Sequence, residues 1–236
     1  MEDDEIDPVA RVGALAEPTR RQLYELVAGA GGWVSRDAAA ESLGLERGTA
    51  AHHLDRLAAD GLVEVDFQRL SGRQGPGAGR PSKLYRRARR EIGVSLPPRD
   101  YALAGRLLAE AADRSRSDGV DITTALDDAA RTEGDRLGDL IRTRQRAAGA
   151  RSAAARRRVA LEALTEHGYE PHTTSAGTVV LRNCPFHQLA QTHTELICGM
   201  NLCLVDAAVR AVAGTGLEAR LEPEEGSCCV RLHPTG

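Results

Sequence analysis

Apolar positions recur at helical spacing through the first quarter of the chain and then give way to short β-like runs. Asp7 is placed to cap a helix opening at Pro8, with Val9, Val12, Ala14 and Leu15 as a partly apolar face. After a break at Glu17-Pro18, Leu23, Leu26 and Val27 predict a second amphipathic helix that stops at the glycines of AGAGG. Trp33-Val34 is long enough for one β bridge, and Ser35 caps a third helix running through Leu43. From Glu46 to Asp60, Ala50, Leu54 and Leu57 form a buried seam, while Thr49, His52 and Arg56 project from other faces. Gly61 stops this fourth helix, and Leu62, Val63 and Val65 begin a strand. The loop SGRQGPGAGR leads into a second strand around Leu84 and Tyr85. Helices followed by a two-stranded wing make a winged helix-turn-helix, and a groove-sized helix followed by a basic hairpin is a DNA-reading unit.

Pro97-Pro98 marks a boundary. Beyond it Tyr101, Leu103, Ala104, Leu107 and Leu108 line one side of a helix, and helical stretches continue from Asp121 to Arg146. These helices are the expected dimer contact, because a winged helix on a two-fold site works as a pair. From Ala153 the pattern changes to a helix through Val159, Leu161 and Leu164, a strand after Gly168, a turn at Ser175-Ala176-Gly177 into TVVLRN, a mostly helical stretch from Cys184, and two final strands. The order α-β-β-α-β-β predicts a small sheet covered on one side by helices. The expected fold class is therefore α+β: a winged helix-turn-helix at 1–95, a helical connector at 96–150 and a cysteine-bearing domain at 151–236.

Charge sharpens this picture. The formal net charge is -3, yet Met1 to Ala10 carries five acids and no base while Arg69 to Arg90 carries eight bases and no acid. A local positive patch on a mildly acidic chain points to double-stranded DNA at one site. Arg47, Thr49, His52 and Arg56 are the candidate contacts on the fourth helix, and Arg73, Arg80 and Lys83 those of the wing. His52 and His53 are poor joint metal ligands, since adjacent helical residues point about 100° apart. The second basic run, Arg142 to Arg158, reads as a solvated face. Neither GxxxxGK[ST] nor GxGxxG occurs in the wing glycines, which argues against a nucleotide loop. No apolar run is long enough for a membrane helix and the acidic start lacks a signal peptide's positive flank, so a cytoplasmic protein is expected.

Five cysteines, all between Cys184 and Cys229, are an odd and clustered set, unlike a secreted disulfide framework. Cys184 sits where a strand ends, Cys198 where the longer helix begins and Cys228-Cys229 where the last strand begins, and such element ends converge at one sheet edge. Thiolates suit iron-sulfur clusters and structural zinc. Strand alternation puts Cys228 on the core face with Val230 and Leu232, and Cys229 on the other with Arg231 and His233. Cys203, within LCLV, reads as a small buried hydrophobe.

Two resemblances add to these readings. ALAEPTRRQLYELV followed by RDAAAESLGLERGTAAHHLDRLAADGLVEV resembles the ArsR-type bacterial regulators, and GRPSKLYRR is similar to their wing ending, over roughly Val9 to Arg90. CPFHQLAQTH, ICGMN and CCVRL resemble the C-terminal part of the SufR-like regulators. That likeness implies an iron-sulfur cluster, of the 4Fe-4S type, whose state sets operator binding. Carried over, it makes Cys184, Cys198 and Cys228 the ligands, with His187, His193, Cys229, a small molecule or nothing left open as the fourth. Zinc without sensing, a metal-free thiol switch, and an enzyme with a Cys184 or Cys198 nucleophile and a His187 or His193 base are the alternatives. The absence of a nucleophile signature argues against the enzyme.

Overall fold

The computed structural model describes residues 7–69, 81–212, 214–224 and 226–235. The chain forms two compact units, divided between Val94 and Ser95.

In the first unit α1 (Pro8–Gly13) is capped by the Asp7 carboxylate at the Val9 N–H, and a short 3-10 turn (Ala14–Ala16) joins it to α2 (Pro18–Gly29). β1 (Val34–Ser35) precedes α3 (Arg36–Leu43), whose Ala38 N–H is capped by Ser35 Oγ. Gly44 then takes a left-handed conformation, φ 63°, and the Leu45 N–H returns to the Ala40 carbonyl at 2.9 Å. A side chain at Gly44 would strain this turn, which sets the entry of α4 (Arg47–Ala59). Ala50, Leu54 and Leu57 are buried with Leu23 and Val27 of α2, Ala39 and Ala40 of α3 and Tyr85 of the sheet. Each large side chain sealed there contributes about 1.5–3 kcal/mol relative to exposure. β2 (Val63–Gln68) and β3 (Ser82–Arg87) pair antiparallel, with β1 on the far side of β3, giving the order β1-β3-β2.

The second unit begins with α5 (Tyr101–Asp118) and α6 (Ile122–Ala147), capped by Asp100 and Asp121. It continues with α7 (Ala153–Glu166), β4 (Pro171–Thr173), β5 (Val179–Leu181), α8 (His187–Thr192), α9 (Thr194–Arg210), β6 (Leu217–Leu221) and β7 (Val230–Pro234). The antiparallel sheet runs β4-β5-β7-β6. Val179, Leu181, Val230 and Leu232 are buried in one core with α9 residues Leu204, Val205 and Ala208. The mostly helical stretch after Cys184 consists of two helices, α8 and α9, that meet at His193.

Residues 96–150, expected as a separate connector, share that core: Ala104, Leu107, Leu126, Leu137 and Ile141 are buried in it. The cause lies on α6, where Gly134 and Gly138 let the α9 backbone come in directly. A methyl at Gly134 would stand 2.2 Å from the Leu204 carbonyl oxygen, and one at Gly138 2.4 Å from Ala207's neighbour one turn on, the Ala211 Cβ. α6 and α9 thus meet backbone to backbone, and the position of α9 is fixed by the helix behind it.

Candidate nucleic-acid interface and thiol site

The helical period of α4 sorts its residues as its seam requires. Ala50, Leu54 and Leu57 face inward, whereas Thr49, His52 and Arg56 are exposed on the opposite side. Thr49, His52 and Arg56 fall within about 60° of one another at 100° per residue, so they form one stripe. Arg47 is exposed but leaves that stripe and pairs with Asp37 of α3 at 2.5 Å. Arg56 is exposed while its Nε reaches Asp60 at 3.1 Å. His53 turns inward beside Glu17, 3.5 Å from its carboxylate, which separates it from His52.

Lys83, expected to reach phosphate, is held instead within the unit. Its ammonium lies 2.6 Å from Asp55 Oδ1 on α4, and Tyr85 Oη donates to the same oxygen at 2.5 Å while accepting from Arg36 Nε at 3.0 Å. Burial raises the Asp55 pKa, but the bonds from Lys83 and Tyr85 outweigh it and hold the carboxyl below its usual range. Burial, then the bond to Asp55, pushes the Tyr85 hydroxyl up to about 12. This network ties α3, α4 and β3 together and so fixes the angle of the exposed stripe against the wing. Arg86 lies over the Trp33 ring, 4.5 Å from its centroid, and pairs with Glu64 at 2.7 Å. Arg73 and Arg80 lie outside the described residues.

In the second unit four of the five cysteines gather. Cys184 follows β5, Cys198 lies in the second turn of α9, and Cys228-Cys229 immediately precede β7. The Cys228 N–H donates to the Leu181 carbonyl at 2.8 Å, and the Cys229 carbonyl accepts from the Glu222 N–H at 2.7 Å, so the dipeptide is clamped between the ends of β5 and β6. The sulfurs form two pairs. Cys198 Sγ and Cys229 Sγ are 2.8 Å apart, and Cys184 shares a hydrogen bond with Cys228. Pairing with Cys228 holds the Cys184 thiol below its ordinary pKa against the effect of burial, helped by the Phe186 N–H and the Arg99 charge. The same pairing, with burial, pushes Cys228 up. Burial, then the bond to Cys229, pushes Cys198 up to about 12. Among the described residues no group of three or more His, Cys, Asp or Glu side chains is placed so that it could hold a metal ion as the side chains stand.

Of the side chains left open as the fourth partner, the structure brings Cys229 and not the histidines to the other thiols. The His187 ring is exposed on α8 and contacts Gln191 Nε2 at 3.1 Å, and His193 is also exposed; Cys229 is the group that meets the other thiols. Cys203 is set apart: burial raises its pKa first, and its charged neighbours are Asp127, Arg131 and Asp206 rather than the other cysteines.

Sequence reasoning passed over the polar residues behind the thiols. Asn201 is buried and donates through Nδ2 to Cys228 Sγ at 3.2 Å, while Tyr169 Oη donates to Asn201 Oδ1 at 2.5 Å. Arg99 Nη1 donates to the Cys184 carbonyl at 3.2 Å and to Asn183 Oδ1, and Asn183 Nδ2 donates to the Pro98 carbonyl at 2.9 Å. The available signal was Asn201 itself, a lone amide between Met200 and Leu202 in an apolar helix.

Among the described residues no helix is long and apolar enough to cross a membrane. No curated protein and no solved structure matches the chain. Residues 15–66, from the turn before α2 to the middle of β2, match a family model described as a helix-turn-helix domain, and this match supports a regulator that binds DNA.

Proposed function

We propose that the protein is a homodimeric transcriptional regulator that reads a double-stranded operator with α4 and answers to the state of a thiol site made by Cys184, Cys198, Cys228 and Cys229. The observation that supports the sensing half is that thiols from three separate segments come together in pairs, Cys198 Sγ 2.8 Å from Cys229 Sγ and Cys184 hydrogen-bonded to Cys228, with Cys184 and Cys229 both acting on Cys198 and Cys228. An all-sulfur donor set is the chemistry of iron-sulfur clusters and of structural zinc. Of the two, the likeness of CPFHQLAQTH, ICGMN and CCVRL to SufR-like regulators favours the iron-sulfur cluster. Such a cluster supplies a change of charge and a crosslink whose integrity depends on redox conditions.

The chain's own residues do the rest. Thr49 and His52 meet base edges or phosphate, and Arg56 and Arg47 hold the backbone once released from Asp60 and Asp37. The clamped Cys228-Cys229 dipeptide and Cys198 couple the sheet edge to α9, so a change at the thiols acts on α9 and on α6 packed against it. In a dimer this alters the separation of two recognition helices, to which a two-fold operator is sensitive.

Protein purified without oxygen, analysed for iron, sulfide and zinc and by visible absorption, tests the site. Iron with sulfide and a brown chromophore that disappears in the Cys184→Ser/Cys198→Ser double variant supports the cluster; stoichiometric zinc without colour replaces it with a zinc-stapled regulator. Enrichment of a random duplex pool by the wild-type protein, lost in Thr49→Ala/His52→Ala, supports the DNA half. Equal enrichment by that variant contradicts the assignment of the stripe.

A further inference from the structure

The four thiols are not equivalent, and their pairing points to a second chemical state of the site. Cys198 Sγ lies 2.8 Å from Cys229 Sγ, well inside the ~4 Å at which non-bonded heavy atoms ordinarily touch. A disulfide needs only a further approach to about 2.05 Å. Cys229 is half-buried and open to a small oxidant, whereas Cys184 and Cys228 are buried and Cys228 Sγ is engaged by the Asn201 amide. Cys229 has no alternative partner next to it in sequence: adjacent Cα atoms stand about 3.8 Å apart, short of the roughly 4.4–6.8 Å that a relaxed disulfide spans. Cys203 is surrounded by Asp127, Arg131 and Asp206 and takes no part. The clamps from Leu181 to Cys228 and from Glu222 to Cys229 keep Cys229 beside α9.

We infer that Cys198 and Cys229 are a disulfide-forming pair, oxidised by hydroperoxides when the site holds no metal, and that the closed disulfide excludes metal binding. The metal half of this inference rests on the four-thiol reading; the disulfide half does not. In the first step the Cys229 thiolate attacks one peroxide oxygen; an S–O bond forms, the O–O bond breaks, and the other oxygen leaves as an alcohol or water after protonation. In the second step the Cys198 sulfur attacks the sulfenic sulfur; the S–S bond forms, the S–O bond breaks, and hydroxide leaves as water with the Cys198 proton. Two thiols have then given two electrons to one hydroperoxide. Two of four sulfur donors are consumed, and those remaining, Cys184 and Cys228, cannot close a four-coordinate thiolate site.

The full chain, reduced, stripped with a chelator and kept anaerobic, is treated with one equivalent of hydrogen peroxide and alkylated. Cleavage after arginine places Cys184, Cys198 and Cys203 in peptide 183–210 and Cys228 and Cys229 in peptide 221–231, so fragmentation of the crosslinked pair identifies the bond. The expected result is loss of two of the five alkylatable thiols with the link at Cys198–Cys229. A link between Cys184 and Cys228, or a link between two chains, overturns the proposal, as does the absence of any link. This mapping needs no variant; Cys203→Ser should still lose two thiols and Cys229→Ser should keep all its remaining ones. Zinc(II) added to the oxidised chain should bind at least tenfold more weakly than to the reduced chain, with recovery after phosphine reduction; equal binding overturns the exclusion. If the reduced chain holds neither iron nor zinc and the pair still closes, the metal reading falls and the disulfide stands.

Discussion

Gly134→Ala is the substitution that tests the packing of the thiol-bearing helix most sharply. In isolation the change favours a helix by up to about 1 kcal/mol, since alanine loses less backbone freedom on folding than glycine. In α6 the added methyl meets the Leu204 carbonyl at 2.2 Å, Ala207 Cβ at 2.7 Å and the Ala208 N at 3.1 Å. Two of these three atoms belong to backbone and cannot rotate away, so α9 must move by roughly 1 Å to restore ordinary contact distances near 3.5 Å. Overpacking of this kind costs about 1–3 kcal/mol. Gly105→Ala on α5 supplies the comparison, because nothing lies within 4 Å of the added methyl. The same chemical change should therefore stabilise at 105 by about 0.5–1 kcal/mol and destabilise at 134 by about 1–2 kcal/mol after the propensity gain is deducted. For a unit of this size the two variants should shift in opposite directions and stand roughly 3–12 °C apart in Tm. Calorimetry of each variant measures it. A Gly134→Ala protein as stable as wild type would refute the backbone-to-backbone contact and, with it, the argument that α6 fixes α9.

Other consequences follow from the same geometry. Tyr85→Phe removes a buried hydroxyl that donates to Asp55 and accepts from Arg36, and should cost the N-terminal unit about 1–2 kcal/mol in urea unfolding. The Asp55 carboxyl is held below its ordinary pKa, so its contribution to stability is present above the unfolded value near pH ~4 and is lost as pH falls through the lowered one. Asp55→Asn should accordingly flatten the acid limb of the stability profile, and an unchanged limb would remove Asp55 from it. Arg56→Ala should weaken duplex binding across sequences and reduce the salt dependence of log K by about one unit, measured by anisotropy from low to moderate salt. Cys203→Ser, remote from the paired thiols, should leave iron or zinc content unchanged.

Much of the N-terminal unit was legible because each of its signals is local. Asp7 and Ser35 cap the helices they precede, and the 50-54-57 seam already implies that 49, 52 and 56 face away. What was not legible there was tertiary pairing. Helical periodicity alone puts Arg47 about 160° from Thr49, but its pairing with Asp37 and that of Lys83 with Asp55 depend on α3 and β3 lying beside α4, and neither partner is close in sequence. In the C-terminal unit, strand alternation separated a buried Cys228 from a more open Cys229, as the structure has them. It carried no information on which sulfur meets which. His187 stands three residues after Cys184 in sequence, but its ring is exposed on α8 and meets Gln191, four residues on. Gly134 and Gly138 went unread as a packing motif, although glycines four apart within a long helix mark one face for close approach. The merging of the helical segment with the cysteine-bearing one follows from that contact.

Coupling between the thiol site and DNA is the central claim, and one titration addresses it. A duplex enriched by the wild-type protein is titrated anaerobically at fixed salt with wild-type protein and with the Cys184→Ser/Cys198→Ser variant, after calorimetry shows that both are folded. The account predicts Kd values that differ by about 5–150-fold, the usual span of coupling between two sites. Equal Kd values would contradict it.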